Sequence, residues 1–272
     1  MSDLLIRPET FRNRIEGFGF RYLSFESRQL AAGQSYHGET VDRELAIVVL
    51  GGICSVSSSR GEWLGIGQRA TVFDGLPYTL YLPIRTRFRV SADADCDLAF
   101  CYAKAEDEYP ARLVTPARVG IEIRGGGNAT RQVNSLLPPD FLAHRLMVVE
   151  TLAPAGNWFC YPPHKHDEHN PPGEVDLEEI YYYRMQRPEG FAVQKVYTAD
   201  GRIDETITVR DGELVVVREG YHPAAAAHGY NVYSLSALAG SARSLACSED
   251  SQYAWVKSQW KEKDPRLPMV KR

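Results

Sequence analysis

Glycine and proline divide this sequence into short runs, and that punctuation restricts the possible fold more than any other feature. The 272 residues include 22 glycines and 16 prolines. The runs between them hold about four to eight residues and are rich in Val, Ile, Tyr and Phe, which is typical of strands in an all-β sandwich or barrel. We therefore predict an all-β fold in which helix is the minor element.

Three pairs of these runs predict β-hairpins. The clearest pair is 206–210 and 213–217, which flank Asp211 and Gly212. An Asp-Gly pair accepts the positive φ angles of a type I′ turn, the turn that joins two paired antiparallel strands. The other two predicted hairpins join 88–91 to 98–102 and 179–183 to 191–197.

The two halves of the chain share short segments in the same order, which indicates an internal duplication. The recurring pairs are Leu30-Ala-Ala-Gly33 with Leu152-Ala-Pro-Ala-Gly156, Glu44-Leu-Ala-Ile with Glu178-Glu-Ile-Tyr, and Val72-Phe-Asp-Gly75 with Val209-Arg-Asp-Gly212. The spacing of the first pair is shorter than that of the other two, so the second half carries an insertion near 167–177. We predict two tandem β-barrel lobes. The first spans 1–125, a linker spans 126–139, and the second lobe spans 140–272 and ends in a polar tail.

Charge and cysteine usage exclude several classes of protein. The net charge of −4 includes no basic block that could neutralise a run of phosphates, so we expect no nucleic-acid partner. The longest apolar stretch, 45–54, is far shorter than the ~20 residues that cross a bilayer, and the first residues do not resemble a secretory signal. Five cysteines at irregular spacing predict reduced thiols rather than a disulfide framework. We expect a cytoplasmic protein without a membrane partner.

Histidines and a glutamate in the second half are spaced as metal ligands. In an extended segment the side chains alternate, so His164 and His166 point to one face and Lys165 to the other. A carboxylate from the next strand, Glu179, and a third imidazole, His222, could complete a site for a divalent ion with room for a substrate. This donor set suits zinc or manganese.

Two neighbouring glutamates compete for the ligand position, and the first lobe has no matching donors. Glu178 and Glu179 have opposite strand parity, so only one of them can face the barrel interior; we favour Glu179. By the spacing of the repeat, the two histidines of the H-x-H segment fall opposite Val41 and Arg43. Neither residue can take their place as a ligand, so we predict one divalent metal ion per chain, bound in the second lobe.

Longer strings around these residues resemble a known family. They are Tyr161-Pro-Pro-His-Lys-His-Asp167, Leu177-Glu-Glu-Ile-Tyr-Tyr182, Gly190-Phe-Ala-Val-Gln194 and Gly220-Tyr-His-Pro223. They resemble the 5-deoxy-glucuronate isomerase family of myo-inositol catabolism, within the cupin superfamily. The resemblance implies a bicupin with two double-stranded β-helix (jelly-roll) lobes. It also implies a metal-dependent aldose–ketose isomerase that converts 5-deoxy-D-glucuronate to 2-deoxy-5-keto-D-gluconate.

The residues suit that chemistry on their own terms. A divalent ion can bind the carbonyl and hydroxyl oxygens of a small sugar acid and stabilise an enediolate without any redox change. A base must then carry a proton between neighbouring carbons, and a cation must hold the substrate carboxylate. The candidate bases are Glu178 and Tyr183, Gln194 is a candidate for binding a substrate hydroxyl, and the candidate cations are Arg184, Lys165 and Arg131.

Three other functions stay open at this point. A related uronate ketol-isomerase of pectin catabolism would use the same kind of site. A non-catalytic sugar-binding bicupin would keep the pocket without a base. A metal-dependent dioxygenase is compatible as well, because histidines and a carboxylate around an open position also suit iron(II) and oxygen. We expect a homo-oligomer, with the first lobe as a structural or oligomer-forming copy.

Overall fold

The computed structural model describes residues 2–8 and 19–272, and it confirms the all-β fold. The named helices within these ranges are three short 3-10 segments, at Pro116–Arg118, Gly127–Ala129 and Ala254–Gln259. None of the described helices is long and apolar enough to span a membrane. The strands pair antiparallel throughout the described sheets, and the sheets fall into two sets, which we call the first and the second lobe.

The first lobe contains a five-stranded and a four-stranded sheet. Its strands are β2 (Leu23–Leu30), β3 (Ser35–Glu39), β4 (Arg43–Gly51), β5 (Cys54–Ser58), β6 (Gly61–Ile66), β7 (Thr79–Leu82), β8 (Arg87–Ala92), β9 (Cys96–Lys104) and β10 (Arg112–Val114). The sheet orders are β10-β7-β4-β9-β2 and β3-β8-β5-β6. Apolar side chains from both sheets form one cluster between them.

The second lobe is built around a seven-stranded sheet. Its strands are β1 (Leu5–Ile6), β11 (Gly120–Arg124), β12 (Arg131–Leu137), β13 (Met147–Ala153), β14 (Trp158–Phe159), β15 (His164–Lys165), β16 (Leu177–Met185), β17 (Phe191–Tyr197), β18 (Asp204–Arg210), β19 (Leu214–Val217), β20 (Ala224–Ala226), β21 (Val232–Gly240) and β22 (Ser248–Glu249). The large sheet has the order β1-β19-β16-β21-β13-β12-β11, and β14-β20-β17-β18 forms a second sheet. A short ribbon of β15 and β22 carries the H-x-H segment.

The two lobes pack through the outer faces of their larger sheets. Every residue of β4 is buried, because alternate side chains enter two different cores. Leu45 and Ile47 lie inside the first lobe, whereas Ala46 and Val48 belong to the core shared with the second lobe. This double burial explains the long apolar run at this point of the sequence.

The seven-stranded sheet includes strands from both sides of the predicted domain boundaries. Residues 131–137, predicted as part of a linker, form β12 inside the seven-stranded sheet. β1 and β11, predicted in the first lobe, also belong to this sheet, while residues 1 and 9–18 lie outside the described residues. The apolar face of residues 131–137 explains why they form a strand and not a linker, since Val133, Leu136 and Leu137 are buried.

A reciprocal pair of carboxylates fastens the lobes to each other. Glu44, at the start of β4, accepts hydrogen bonds from three consecutive backbone N–H groups of the second lobe, at residues 144–146, with N–O distances of 2.6–2.7 Å. Glu178, at the start of β16, accepts the N–H groups of residues 21–23 of the first lobe. The repeat aligns Glu44 with Glu178, so the duplication has kept one interaction in both directions. We call this pair the carboxylate clasp.

The three predicted hairpins are wrong, although their strands are present. Residues 206–210 lie in β18, which pairs with β17, whereas 214–217 form β19, which pairs with β16 and β1. Only Gly212 of the predicted type I′ turn has a positive φ, of 74°. The connections 88–91 to 98–102 and 179–183 to 191–197 likewise cross from one sheet to the other. The short turns between these strands therefore connect two different sheets instead of joining paired neighbours within one sheet.

Candidate metal centre

Three histidines from separate segments meet inside the second lobe. His164 and His166 come from the β15 segment, and His222 comes from the turn before β20. One ring nitrogen of each lies within 4.8 Å of the others, and no other described group of His, Cys, Asp or Glu was found so arranged. His166 and His222 are buried. Burial, followed by the neighbouring imidazoles, lowers the pKa of His164 well below its usual value, so this ring is neutral and can offer a lone pair.

Glu179 completes the cluster from the adjacent strand β16. Its Oε2 lies 2.9 Å from Nε2 of His166 and 3.4 Å from Nε2 of His222. Burial alone would raise the pKa of Glu179, but the neighbouring His166 and His222 outweigh it and lower that pKa. The carboxylate therefore stays ionised in a buried position.

The outer nitrogens of two rings are fixed by backbone carbonyls. Nδ1 of His166 lies 3.0 Å from the Leu177 carbonyl oxygen, and Nδ1 of His222 lies 2.8 Å from that of Gly220. A carbonyl only accepts, so each Nδ1 carries a proton and each Nε2 faces the cluster, the arrangement usual for metal-bound imidazoles. Nε2 of His222 is buried and has no hydrogen-bond partner among the described residues. An unsatisfied buried nitrogen beside a carboxylate fits a bound cation.

His164, His166 and Glu179 of this cluster line a cavity of about 320 Å³. This is sufficient for a small molecule. The wall combines cations, aromatic rings and thiols: the side chains that contribute to it include Arg124, Arg131, Lys257, Tyr161, Tyr181, Trp260, Cys160, Cys247 and Glu249. Three cations on the wall of a cavity that also carries His164 and His166 favour a small acidic ligand.

Of the three cations on the cavity wall, Arg131 has the least compensation of its charge by neighbouring carboxylates. Its guanidinium donates to the carbonyl oxygens of Tyr161, at 3.1 Å, and Ala129, at 3.3 Å. No described carboxylate lies within ion-pair distance of it, and burial lowers the pKa of Arg131. A buried cation without a counter-ion is costly unless an anion binds there. Arg131 is thus placed to bind a carboxylate in the cavity.

Comparisons with known proteins show the family of this chain. The KduI/IolB family model matches residues 10–256. The 5-deoxy-glucuronate isomerase of Geobacillus thermodenitrificans is 43% identical over 242 residues, covering 89% of this chain and 88% of the relative. The chain belongs to the KduI/IolB family.

Solved structures extend the comparison to the fold. The crystal structure of an IolB-like protein from Salmonella typhimurium has a TM-score of 0.91 and 37% identity, covering 94% of this chain and 99% of the other. Bacillus subtilis oxalate decarboxylase, in a structure whose title names Mn(II) centres, has a TM-score of 0.65 at 12% identity, covering 93% and 81% of the two chains. The second likeness shows a shared fold alone.

Within this KduI/IolB chain, three predicted site residues lie away from the cavity. Glu178 was predicted as a base, but its carboxylate belongs to the carboxylate clasp and is enclosed by backbone N–H groups of the first lobe. Arg184 was predicted to bind substrate, but it pairs with Asp97 and Asp211 at the contact between the lobes. Both side chains have the strand parity opposite to that of Glu179, which directs them to the outer face of β16.

Lys165 is also excluded from the cavity. Its ammonium group contacts Asp167, Glu168 and Glu174 at 2.5–3.0 Å. These hydrogen bonds outweigh the effect of burial and raise the pKa of Lys165. The inserted segment near 167–177 is therefore held against the outer side of the H-x-H strand, and of its residues only Leu177 lines the cavity.

Tyr183 and Gln194 form a closed pair next to the site. The Tyr183 hydroxyl donates to Oε1 of Gln194 at 2.9 Å, and both side chains are completely buried. Neither residue lines the cavity. Burial raises the pKa of Tyr183 well above its usual value, which disfavours a role as a base. The assignments of Tyr183 as catalytic and of Gln194 as substrate-binding therefore lack direct geometric support.

Several cavity residues were missed by the sequence reasoning. Arg124, Lys257 and Glu249 come from segments that carry no motif, so only the folded chain brings them to the site. Tyr181, by contrast, shares the parity of Glu179 on β16, which predicts an inward side chain, and it does line the cavity. Its hydroxyl lies 3.3 Å from the Cys160 sulfur at the cavity wall.

Proposed function

We propose that this chain is a metal-dependent aldose–ketose isomerase that converts 5-deoxy-D-glucuronate to 2-deoxy-5-keto-D-gluconate. The observation that carries the proposal is the cluster of three histidines with an unsatisfied Nε2, beside an ionised carboxylate, on a cavity whose other wall holds the uncompensated Arg131. The name of the relatives agrees with it, since they are called 5-deoxy-glucuronate isomerases. The substrate is an aldehyde that also carries a carboxylate.

One divalent ion, zinc or manganese, would be held by His164, His166, His222 and Glu179. When bound, the ion supplies Lewis acidity toward the carbonyl and hydroxyl oxygens of the substrate without a change in redox state. The carbonyl groups that accept from the outer ring nitrogens keep the imidazoles oriented. Arg131 binds the substrate carboxylate and fixes which end of the sugar faces the histidines.

We propose the finer description of the fold as well, namely a bicupin of two jelly-roll lobes of which only the second binds metal. In the first lobe the facing sheets enclose apolar side chains, which leaves no room for a substrate. The homo-oligomer stays a prediction. Exposed apolar side chains such as Leu64, which is 76% exposed, and Trp255, which is 62% exposed, are available for association. The mass of the protein in solution tests it.

The reaction in deuterated water tests the proposed activity. The purified, metal-loaded protein should convert the aldose acid to the ketose acid and introduce deuterium at the carbon that gains a proton. Oxygen consumption without isomerisation would point to the dioxygenase. Tight sugar binding without turnover would point to a binding protein. Faster turnover of the pectin-derived uronate would reassign the substrate.

A further inference from the structure

The proposed isomerisation needs a base, and the structure places one carboxylate beside the histidines that no motif had marked. In the ribbon of β15 and β22, Glu249 lies directly opposite His164. Directly opposite residues of an antiparallel pair project their side chains from the same face. Both side chains line the cavity. Glu249 therefore borders the space in which a substrate would contact the histidine cluster.

The other glutamate on the cavity wall is already engaged. Glu179 lies 2.9 Å from His166 and 3.4 Å from His222, which leaves Glu249. Glu178 and Tyr183, the bases predicted from the sequence, lie outside the cavity wall. Tyr181 does line it, but its hydroxyl is already engaged with the Cys160 sulfur, 3.3 Å away.

Lys257 holds the Glu249 carboxylate in place. Its Nζ lies 2.5 Å from Oε1 of Glu249, and both side chains are partly exposed at the mouth of the cavity. A charge-assisted hydrogen bond of this kind fixes the orientation of a carboxylate. Lys257 lies in the 3-10 helix Ala254–Gln259, and the chain after it is anchored to the second lobe by the hydrogen bond from the Gly127 N–H to the Glu262 carbonyl oxygen, at 2.8 Å.

We propose that Glu249 is the catalytic base of the isomerisation and that Lys257 is its positioning residue; this rests on the isomerase function proposed above. Glu249 takes the proton from the carbon next to the carbonyl. The C–H electron pair becomes the carbon–carbon double bond of the enediolate, and the carbonyl π pair moves to its oxygen. The hydroxyl proton passes between the two oxygens, the second oxygen becomes the new carbonyl, and Glu249 returns its proton to the former carbonyl carbon. No oxidant or reductant is consumed.

Glu249→Gln is the direct test, because it preserves the shape of the side chain and removes its basicity. We expect kcat to fall by about 10²–10⁴-fold, with KM, metal content and circular dichroism close to wild type. Lys257→Met should lower kcat less, by about tenfold. Glu262→Gln is the matched control, since Glu262 is exposed on the same segment and does not line the cavity. It should leave kcat unchanged.

Chemical rescue separates a base from a structural residue. In Glu249→Gly, added formate should restore part of the lost kcat, and the same addition to His166→Ala should restore none. A Glu249→Gln protein with kcat within a few fold of wild type, a loss of bound metal in that variant, or no formate rescue would each overturn the assignment. If the wild-type protein itself does not isomerise the aldose acid, the proposed function fails instead, before any variant is compared.

Discussion

The matching strands of the two lobes, β4 and β16, carry very different interiors. In β4 the inward side chains are Leu45, Ile47 and Val49, and in β16 they are Glu179, Tyr181 and Tyr183. Leu45 lies between Leu82 and Tyr102 of the neighbouring strands, just as Glu179 lies between Val217 and Leu238. One backbone arrangement therefore supports a packed apolar core in one copy and a polar cavity in the other.

The difference shows what each copy contributes to the molecule. Apolar side chains at these positions stabilise the first lobe by removing surface from water. A buried glutamate at the same position costs stability unless other groups compensate its charge, which is why Glu179 comes with histidines around it. The second lobe thus has polar side chains where the first lobe has apolar core, because it holds a site. The first lobe packs against it.

Removing metal ligands should give the largest contrast between the lobes. We expect His164→Ala/His166→Ala to lower the metal content from one ion per chain to almost none and to abolish activity, because two imidazoles of the cluster are lost. His37→Ala, in the first lobe, should change neither value. Elemental analysis and the isomerase assay measure both. Two ions per wild-type chain would contradict the proposed asymmetry.

A cavity made in the first lobe should affect stability without affecting the site. Phe100 is completely buried in the first-lobe cluster. Phe100→Ala should lower the free energy of unfolding by about 3–5 kcal/mol. The kcat of the folded protein should stay near wild type, since the lost ring is far from the histidines in the fold. Denaturant titration and kinetics below the transition check this, and a parallel loss of kcat would show that the lobes are coupled.

The carboxylate clasp should behave alike in both directions. Glu44→Gln and Glu178→Gln each replace a carboxylate that accepts backbone N–H groups of the other lobe. We expect each variant to lose about 1–3 kcal/mol of stability, as for weakened hydrogen bonds to a charged group. Urea unfolding measures the loss. A Glu178→Gln protein that retains its kcat would also show that Glu178 is not the base. A loss of kcat without a loss of stability would show that Glu178 is the base after all.

The smallest expected effect concerns the inserted segment, which the first lobe lacks. Burial raises the pKa of Glu174, but hydrogen bonds from Ser248, Glu168, Lys165 and Asp167 outweigh it and lower the pKa to about 2. Ionised Glu174 therefore stabilises the fold fully at pH values above its ordinary pKa of 4.5. This contribution is lost as the pH falls toward 2. Glu174→Gln should be less stable than wild type by about 1–2 kcal/mol at pH 7.

Thermal unfolding measured from pH 7 down to pH 3 tests how the difference in stability between Glu174→Gln and wild type depends on pH. The gap between Glu174→Gln and wild type should narrow as the pH falls. Glu168→Gln, whose side chain is largely exposed, is the matched control and should show a smaller gap. A gap that does not depend on pH would assign the effect to side-chain shape and not to charge.

The local sequence pattern predicted the strands well, including β16, which carries Glu179. Residues 191–197 form β17 as predicted, and strand parity showed that only one of Glu178 and Glu179 can face the interior, because alternation along a strand is a local property. Strand pairing was not predictable in the same way. The Asp211-Gly212 turn has hairpin composition, but its flanking strands bond to partners elsewhere in the chain, and turn residues do not encode those partners.

The missed site residues have the same cause. Glu249 reaches the cavity through the pairing of two strands of only two residues each, so no periodicity marks it. Arg184 and Lys165 looked like free cations in the sequence, and only the fold revealed Asp97 and Glu174 as their partners. Charge in a sequence shows what a side chain can bind, while its actual partner depends on distant chain segments.

The placement of β1 has a consequence for the order in which the molecule can be made. Leu5 and Ile6 pair with Val215 and Leu214, which leave the ribosome only after most of the chain has been translated. Contacts so distant in sequence form late and slow folding. The first lobe can assemble its own two sheets early, but the opening strand has to wait for the lobe that carries the histidines. A truncated nascent chain would therefore expose an unpaired apolar strand for chaperones to recognise.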